Sequence, residues 1–366
     1  MTYFLIDAHI DMAWNMLTFG RDYTRSVSET RRLEADSPAP EHNGDTLLGW
    51  PEFQRGRVGL VFGTLFAAPE RRKLGAWDSL CYDSPDEAHH VYRRQLDAYH
   101  RLVERHPTKF TLIQTQAELE RHLAAWQPAS DDIEIPELPV GLVILMENAE
   151  GVRTPGELAE WWRGGVRIIG PAWAGTRFCG GTREPGGLTA EGYALLEGMA
   201  EHGFVLDLSH MDEAAVYQAL DAYPGVIIAS HSTARALHHN PEFNRNLTDR
   251  MIAGILERQG VIGIVPANWF LKPDWKESGG RATITLSLVA PQIDYICQMA
   301  GDSRHVGIGS DYDGGFGLQS VPVEIDSTAD LQKIAGVLAA RGYNQQDIEN
   351  IFHKNWLGVL RRALPE

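Results

Sequence analysis

Cysteine is scarce in this sequence: 366 residues include three, Cys81, Cys179 and Cys297. They lie far apart and form no CxxC pair, which excludes a disulfide framework and a thiolate zinc site. Free thiols are typical of a reducing compartment, so the sequence indicates a cytoplasmic protein.

Long apolar runs are absent as well. No stretch of 18 or more consecutive apolar residues occurs, so no transmembrane helix is predicted. The first residues, Met1–Asp7, lack the basic segment, apolar stretch and small-residue cleavage site of a secretory leader. A leader removed before this sequence begins is an alternative that the residues leave open.

Positive charge is in short supply. Lys and Arg number 33 against 49 Asp and Glu, which gives a formal net charge of −16. An acidic surface repels nucleic acid and anionic membranes, so neither is an expected partner. The simpler explanation, that the charge keeps the protein soluble, requires no partner at all.

Eight short apolar or β-branched runs are present, each of a length that suits a buried parallel strand. They are Tyr3–Ala8, Val58–Phe66, Val140–Met146, Val166–Ile169, Phe204–Leu208, Val226–Ala229, Val261–Val265 and Val306–Gly309. Stretches with helical periodicity lie between them, including Pro85–Arg105, Pro155–Arg163, Thr189–His202, Asp212–Tyr223, Thr248–Gln259 and Leu286–Met299. Because a repeated strand and helix need parallel crossovers, the pattern predicts a (β/α)₈ TIM barrel.

Two segments depart from this alternation. Arg21–Pro51 is polar and turn-rich and is expected to form an insertion after the first strand. Gln114–Pro139 is expected to supply a helix and connector before the third strand. The helical stretches Ala329–Arg341 and Gln346–Leu360 are expected to close the chain over the barrel's outside. No repeat or linker marks a boundary, so residues 1–366 are expected to form one domain.

The first and third predicted strands end in residues that can bind metals. The first runs into His9 and Asp11, which are two apart and point to the same side of an extended chain. The third runs directly into Glu147, a carboxylate that is costly in a core unless paired or bound to a metal. Taken singly, each has an ordinary alternative: a turn or capping pair for the first two, an exposed loop residue for Glu147.

Three later strands end in a similar way. The fifth and sixth both end in Ser-His, which places His210 and His231 21 positions apart, about one helix with its loops. The eighth ends at Asp311 between glycines, while Asp313 fits the start of a turn. A single histidine after an apolar run is usually a core or rim residue. Six such residues at the mouth of one barrel, however, indicate two divalent metals and an activated water.

At these residues the sequence resembles the membrane dipeptidase (renal dipeptidase-like) family, peptidase family M19, over nearly the whole chain. The resemblance rests on the order and spacing of His9-Ile10-Asp11, Met146-Glu147, Leu206–His210, Ser230-His231-Ser232, Arg245-Asn246, Gly309–Gly314 and Asn355-Trp356. It implies a barrel hydrolase with two zinc ions, or other divalent cations. It also implies hydrolysis of dipeptides, including those with a D-residue on the C-terminal side.

The resemblance implies a role for each metal-facing residue. His9 and Asp11 match ligands of one zinc, and His210 and His231 match ligands of the other. Glu147 matches the carboxylate that bridges the two and takes part in catalysis.

Two further residues match groups that act on the substrate. Asp311, also at the metals, matches the acidic residue that carries a proton from the water to the leaving amine. Arg245 matches the arginine that holds the substrate carboxylate, and a planar guanidinium suits that task. A solvated loop arginine is the alternative for Arg245.

The sequence departs from the family at three positions. Asn148 follows the bridging glutamate, where the family has a small residue. Trp173 stands where dipeptidases carry a histidine that helps to polarise the scissile carbonyl. An indole carries no charge, so Trp173 is expected to shape an apolar pocket. Asn268 stands near a tyrosine of many relatives and is expected at the substrate. The Gly-rich stretch Trp173–Gly187 is expected to form a loop on the substrate side.

The sequence therefore predicts zinc-dependent hydrolysis of a small dipeptide-like substrate, and it leaves a homo-oligomer open. One alternative is a hydrolase of another carboxylate-bearing amide, such as a cyclic or N-acylated amino acid, which the tryptophan favours. The other is a metal-binding protein with little turnover, against which the complete set of metal-facing residues argues.

Overall fold

Parallel strands make up a closed barrel in the computed structural model, which describes residues 2–126, 137–238 and 243–366. The strands are β1 Leu5–Ile10, β2 Val58–Leu65, β3 Phe110–Leu112, β4 Val140–Glu147, β5 Val166–Gly170, β6 Cys179–Gly181, β7 Glu184–Leu188, β8 Val205–Asp207, β9 Ile227–Ser232, β10 Ile262–Ile264 and β11 Val306–Ile308. The order β2-β1-β11-β10-β9-β8-β5-β4 is closed by pairing of β2 with β4. The predicted (β/α)₈ barrel is confirmed, with each predicted run supplying one strand of the ring.

The strand register brings the carboxyl ends of the strands to one rim. β1, β2 and β4 are buried along their whole length, as expected for strands covered on both faces. β2 and β4 pair in register from Leu60 with Gly141 to Leu65 with Met146. Glu147, the residue after Met146, therefore lies at the rim, next to Gly170 at the end of β5.

Two additions to the ring lack a sequence signal. β3 pairs outside β4 through three residues, too few for a periodicity to be read. β6 and β7 form an antiparallel hairpin where a Gly-rich loop is predicted, and β7 extends one residue beyond the predicted stretch. The hairpin lies between β5 and β8 in the chain, so it stands over the mouth of the barrel.

Helices alternate with the barrel strands. They are α1 Met12–Thr18, α2 Val27–Glu34, α3 Ala39–Asn43, α4 Trp50–Arg55, α5 Pro85–Arg105, α6 Gln116–Trp126, α7 Leu158–Arg163, α8 Ala190–His202, α9 Glu213–Ala222, α10 Asp249–Glu257, α11 Asn268–Leu271, α12 Val289–Ala300, α13 Lys333–Ala340, α14 Gln345–Glu349 and α15 Asn355–Ala363. In the long helix α5, Ser84 accepts a hydrogen bond from Glu87 N, and Pro85 follows, a combination that starts helices. No helix in the described part of the chain is long and apolar enough to cross a membrane.

The expected helices before the third predicted strand and at the C-terminus are present, but the last of them is divided. α6 begins the connector, whose residues 127–136 lie outside the described ranges. The expected continuous stretch Gln346–Leu360 is divided by a π-helical turn, Asn350–Lys354, between α14 and α15. Trp356 of α15 donates to the carbonyl of Ile308, 3.1 Å away. A Cβ on Gly307 would lie 2.1 Å from Trp356 Nε1, so glycine is needed for α15 to pack against β11.

The insertion after the first strand is fastened to the barrel by one buried carboxylate. Asp313 accepts hydrogen bonds from Arg21 Nη1 at 3.0 Å, Tyr23 OH at 2.8 Å and Thr46 Oγ1 at 2.6 Å. The backbone N–H of Leu47 donates to its other oxygen at 2.9 Å. The sequence suggests only a turn residue here, but Asp313 is fully buried and anchors the insertion.

Candidate metal centre

Six side chains that can ligate a metal converge at the carboxyl ends of the barrel strands. Each belongs to a strand or follows its end within three residues, and each side chain is at most 15% exposed. They are His9, Asp11, Glu147, His210, His231 and Asp311. The structure therefore brings together every residue that the sequence predicts as a metal ligand.

Glu147 occupies the middle of this group. Its Oε1 lies 3.0 Å from Nε2 of His210, 3.5 Å from Nε2 of His231 and 3.8 Å from Nε2 of His9. One carboxylate thus touches imidazoles from β1, the end of β8 and β9. This is the arrangement expected of a residue shared by two cations.

His9 links Glu147 to a second set of carboxylates. Its Nε2 lies 3.8 Å from Asp11 Oδ2 and 3.9 Å from Asp311 Oδ1. Ligand atoms of His9, Glu147 and His231, and separately of His9, Asp11 and Asp311, all lie within 4.8 Å of one another. His9 Nε2 and Glu147 Oε1 are buried and have no hydrogen-bond partner among the described residues. Buried polar atoms without partners are costly, and a divalent cation would satisfy both.

Ser230 fixes which nitrogen of two histidines carries the proton. Its hydroxyl donates to Asp207 Oδ2 at 2.5 Å. It also lies 3.1 Å from Nδ1 of His9 and 2.9 Å from Nδ1 of His231. A hydroxyl has one proton and two lone pairs, so both Nδ1 atoms must donate to it. The two Nε2 atoms are then free of protons and available as ligands.

Threonines hold two other members of the group. Thr182, in the turn of the β6–β7 hairpin, places Oγ1 3.0 Å from Nδ1 of His210. Thr64 of β2 donates its hydroxyl proton to Asp11 Oδ1, and its Oγ1 lies 3.1 Å from the carbonyl oxygen of Ile10. Such outer contacts orient metal ligands and set their basicity.

Two buried aspartates below the centre were not singled out from the sequence. Asp207 accepts from the backbone N–H of Ser209 and Ser230, at 3.0 and 2.8 Å. Asp7 accepts from the backbone N–H of Ser310 at 2.8 Å. Both lie inside apolar strand runs, where an unpaired carboxylate is costly. A carboxylate within an apolar strand run therefore predicts that it has hydrogen-bond partners, and this is the feature of the sequence that points to both residues.

Burial keeps the three histidines neutral. It lowers the pKa of His9, His210 and His231 well below the usual value, and the positive charge of Arg245 lowers each further. Neutral imidazole is the form that binds a metal.

Burial has the opposite effect on the carboxyl groups. It raises the pKa of Glu147 and Asp311 well above the usual range, and the nearby charge of Asp11 adds to the shift. Burial also raises the pKa of Asp11 to about 7. A bound divalent cation would favour the ionised forms and reverse these shifts, because its charge dominates the local field.

The backbone at the centre adopts conformations that non-glycine residues rarely use. His210 has φ of 67° and Asp311 has φ of 60°. Such conformations cost roughly 1–3 kcal/mol and persist at functional sites because the surroundings impose them. Here they turn the chain at the ends of β8 and β11 and direct both side chains to the centre.

Two cavities open on either side of Trp173 and share His210 and Asp311 as lining. The first, about 120 Å³, is called the apolar cavity, and its apolar lining is Trp14, Phe66, Ala68, Leu74, Trp77 and Trp173. Its charged and polar lining includes several of the predicted metal ligands together with Arg72, Asp78 and Asp313. The second, about 230 Å³, is called the arginine cavity, and its lining includes Arg72, Thr182, Arg183, Arg245, Trp269 and Phe270. The predicted pocket-shaping position of Trp173 is thus at the boundary between the two cavities.

Arg245 lies in the arginine cavity with 4% of its surface exposed. Its Nη1 donates to Ser232 Oγ at 3.0 Å and its Nη2 to the carbonyl of His231 at 2.7 Å. Both partners are uncharged, and burial lowers the pKa of the guanidinium, a shift that nearby Asp311 and Glu147 oppose. A buried cation held by neutral groups is suited to receive an anion.

Two further positions that the sequence singles out are Asn268 and Asn148. Asn268 precedes Trp269 at the start of α11 and is fully buried, and its amide atoms have no hydrogen-bond partner in the described ranges. Its contact with substrate stays a prediction. Asn148 donates to the carbonyl of Ala67 and the hydroxyl of Tyr82, so it ties β4 to the chain after β2.

Known proteins match the chain over its whole length. A family model described as membrane dipeptidase (peptidase family M19) matches residues 1–364. The crystal structure of dipeptidase AC, a metallopeptidase of family M19, has a TM-score of 0.77 at 25% identity and covers 100% of both chains. A metallopeptidase from Rhodobacter sphaeroides, liganded with a phosphinate mimic of L-Ala-D-Ala, has a TM-score of 0.76 at 24% identity, covering 99% of this chain and 100% of that one. Dipeptidase ataJ of Aspergillus terreus is 28% identical over 343 residues, 87% of this chain and 78% of its own.

Proposed function

Because the chain belongs to the membrane dipeptidase family, peptidase family M19, and is a metallodipeptidase-type hydrolase, we propose that it uses two zinc ions to cleave dipeptides. We further propose that it accepts a D-residue on the C-terminal side. The observation that carries the proposal is the convergence of His9, His210 and His231 on Glu147, with Asp11 and Asp311 beside His9.

The donor set fits two divalent cations. His9 and Asp11 would hold one, His210 and His231 the other, with Glu147 between them and Asp311 beside the first. His210 Nε2 and His231 Nε2 lie 3.0 Å apart, which suits two nitrogen ligands of one tetrahedral ion. Divalent cations at such a site polarise the substrate carbonyl and lower the pKa of water, which supplies the nucleophile.

Asp311 is proposed to move the proton. It lines both cavities and therefore borders the space where a scissile bond joining two substrate residues would lie. A carboxylate there can accept the proton of the attacking water and return it to the departing nitrogen. The rare backbone conformation of Asp311 supports this role, because the chain sustains a cost to keep the side chain there.

Arg245 is proposed to bind the substrate's terminal carboxylate. Its planar guanidinium offers several N–H donors, of which two are used by Ser232 and the carbonyl of His231. A carboxylate in the arginine cavity would supply the missing anion. Binding one end of the substrate there orients the amide for attack.

A second candidate is hydrolysis of another carboxylate-bearing amide, such as an N-acylated or cyclic amino acid. The observation that favours it is Trp173, which stands between the cavities where a charged donor would otherwise reach the carbonyl. An amide that needs less help at the carbonyl would tolerate the indole better.

We propose that the enzyme is located in the cytoplasm, because Cys81, Cys179 and Cys297 are free cysteines. The substrate is proposed to be a small molecule, and a homo-oligomer is compatible with this assignment.

The deciding experiment combines metal analysis with a substrate screen. Purified protein is expected to hold about two zinc ions per chain and to hydrolyse dipeptides, including L-Xaa-D-Xaa pairs. Chelation is expected to abolish turnover, and zinc to restore it. Turnover of N-acyl amino acids with no dipeptide hydrolysis would favour the second candidate, and zinc-loaded protein inactive on both would contradict the proposal.

A further inference from the structure

The apolar cavity has an aromatic wall that is fixed in place before any ligand arrives. Trp77 stacks on the ring of His42 with centroids 4.3 Å apart and on Phe19 at 5.7 Å. Trp14 meets Trp77 edge-on at 6.1 Å. Because these rings hold one another, a ligand side chain would lose little free energy in ordering the wall.

The loop that carries Trp77 is itself tethered. Asp78 is buried, and its Oδ2 accepts from the backbone N–H of Leu74 at 3.3 Å. Arg72, at the start of the loop, pairs with Glu184 of the hairpin at 2.7 Å. This pair also neutralises Arg72, which lines the apolar cavity. Apart from the predicted metal ligands, this ion pair and the buried Asp78 and Asp313, the cavity presents aromatic and aliphatic surface to a ligand.

Leu74 stands at the rim of this cavity with 71% of its surface exposed. It is the most exposed large hydrophobic residue in the described part of the chain. An exposed leucine on an open surface needs no explanation. At the edge of an aromatic cavity, however, it is apolar surface that an apolar ligand group would cover.

The charges of the two cavities set the direction of a bound dipeptide. Arg245 lies in the arginine cavity, so the carboxylate end belongs there. The amide would lie beside Trp173, His210 and Asp311, which both cavities share. The residue on the amino side of the amide is then left for the apolar cavity, whose volume of about 120 Å³ suits one side chain.

We propose that this enzyme selects dipeptides whose amino-side residue carries a bulky apolar side chain, preferably aromatic, and that Leu74 and Trp77 determine this preference. The proposal rests on the proposed dipeptidase function and adds the substrate class to it. Aromatic side chains gain from edge-on and stacked contacts with rings as well as from burial, so a benzyl group suits these walls best.

The test compares two non-hydrolysable phosphinate dipeptide mimics that differ only in the amino-side group, benzyl or methyl. Calorimetry on the zinc-loaded protein measures both affinities. We expect the benzyl compound to bind at least about ten-fold more tightly than the methyl compound. Apolar pockets discriminate by about this factor or more between ligands that differ in methylene groups. Leu74→Ala, an exposed position where folding is not at risk, is expected to reduce this ratio several-fold, and Trp77→Leu to reduce it further.

Val323→Ala is the matched control, since Val323 is also an exposed aliphatic residue, at 41%, but lies outside both cavities. It is expected to keep the wild-type ratio. Equal affinities for the two mimics, or a ratio unchanged in both cavity variants, would overturn the proposed selectivity.

Hydrolysis of Phe-Ala and Ala-Ala by the same preparation separates the two possible failures. Turnover of both at equal kcat/KM would overturn the selectivity and leave the dipeptidase function standing. Zinc-loaded protein that neither binds the mimics nor cleaves either dipeptide would overturn both.

Discussion

The hydroxyl oxygen of Ser230 lies 2.5 Å from Oδ2 of Asp207. That contact takes the only proton of the hydroxyl, so its lone pairs must face the two imidazoles beside it. One side chain on β9 thereby sets the tautomers of His9 on β1 and of His231 on its own strand. The two halves of the candidate metal centre are linked through this group.

Ser230→Ala is expected to weaken binding at both metal positions, because each of the two histidines loses the acceptor that holds its tautomer. Loss of such outer contacts typically costs about 10–100-fold in metal affinity. Competition with a chelator gives the affinity, and nitrogen chemical shifts of the metal-free protein report the tautomers. Ser303→Ala, a buried serine at the other end of the barrel before β11, is the control. Unchanged imidazole shifts in Ser230→Ala would contradict the assignment.

Glu147→Gln is expected to lower the content of both cations, since the amide nitrogen turns a shared acceptor into a donor. The zinc content after dialysis is expected to fall from about two per chain to well below one. Glu150→Gln provides the control, because Glu150 is buried nearby but pairs with Arg177. Retention of one full zinc in Glu147→Gln would mean that this residue serves a single metal.

The stability of the metal-free protein is expected to depend on the charge of Asp11. Its pKa of about 7 in the folded protein exceeds the unfolded value of about 3.9, so the folded form holds the proton more tightly. Protonation of Asp11 therefore adds to the free energy of unfolding. This stabilisation is fully present below about pH 4 and is lost as pH rises through about 7.

Relative to Asp11→Asn, the metal-free wild type is therefore expected to lose up to about 4 kcal/mol between pH 4 and pH 8, at about 1.4 kcal/mol per pKa unit. Urea unfolding at each pH measures the difference, in which the contributions of the histidines largely cancel. Zinc is expected to abolish the loss in the wild type. A pH-independent difference would show that Asp11 ionises freely.

Arg245→Lys is expected to raise KM for free-acid dipeptides by about ten-fold or more, because the ammonium keeps the charge and loses the planar fork. Discrimination against C-terminally amidated substrates should fall with it, while metal content stays the same. Arg258→Lys is the control, since Arg258 also donates to backbone carbonyls, those of Leu220, Tyr223 and Gly225. Undiminished discrimination in Arg245→Lys would exclude the carboxylate role.

Trp173→His is expected to raise kcat for dipeptides. An imidazole can carry a positive charge and would donate to the developing oxyanion, whereas an indole stays neutral. Removal of one such donor typically costs about 10²–10³ in kcat, which sets the upper limit of the gain. Phe66 packs against Trp173 with centroids 5.2 Å apart, so Trp173→Phe serves as the control for lost bulk. A fall in kcat for the histidine variant would show that the indole itself aids turnover.

The barrel and the residues gathered at its mouth could be predicted because each carries a local signal. A buried strand is a short apolar run, and His9, Glu147 and His231 stand where such runs end. The prediction of a metal site from these six residues is stronger than that from any one of them. The barrel brings strand ends to one rim, so residues that are distant in sequence become neighbours.

The supporting contacts could not be predicted because they join residues far apart in sequence. Ser230 and Asp207 are 23 positions apart, and their bond depends on the register of β8 and β9. Likewise, Thr182 reaches His210 from a hairpin that has too many glycines for an alternating pattern. Asp313 has the local sequence of a turn residue, and only its partners across 266 positions or more reveal its role.

The bonds to Asp313 make the insertion part of the same cooperative unit as the barrel mouth. If residues 21–47 opened, a buried carboxylate two positions from Asp311 would lose Arg21, Tyr23 and Thr46 together, at a cost of several kcal/mol. The segment has the composition of a surface loop, yet its amide protons should exchange with solvent as slowly as those of the barrel strands. A protease is therefore expected to cut within it about as slowly as within the barrel strands, unlike in an ordinary surface loop.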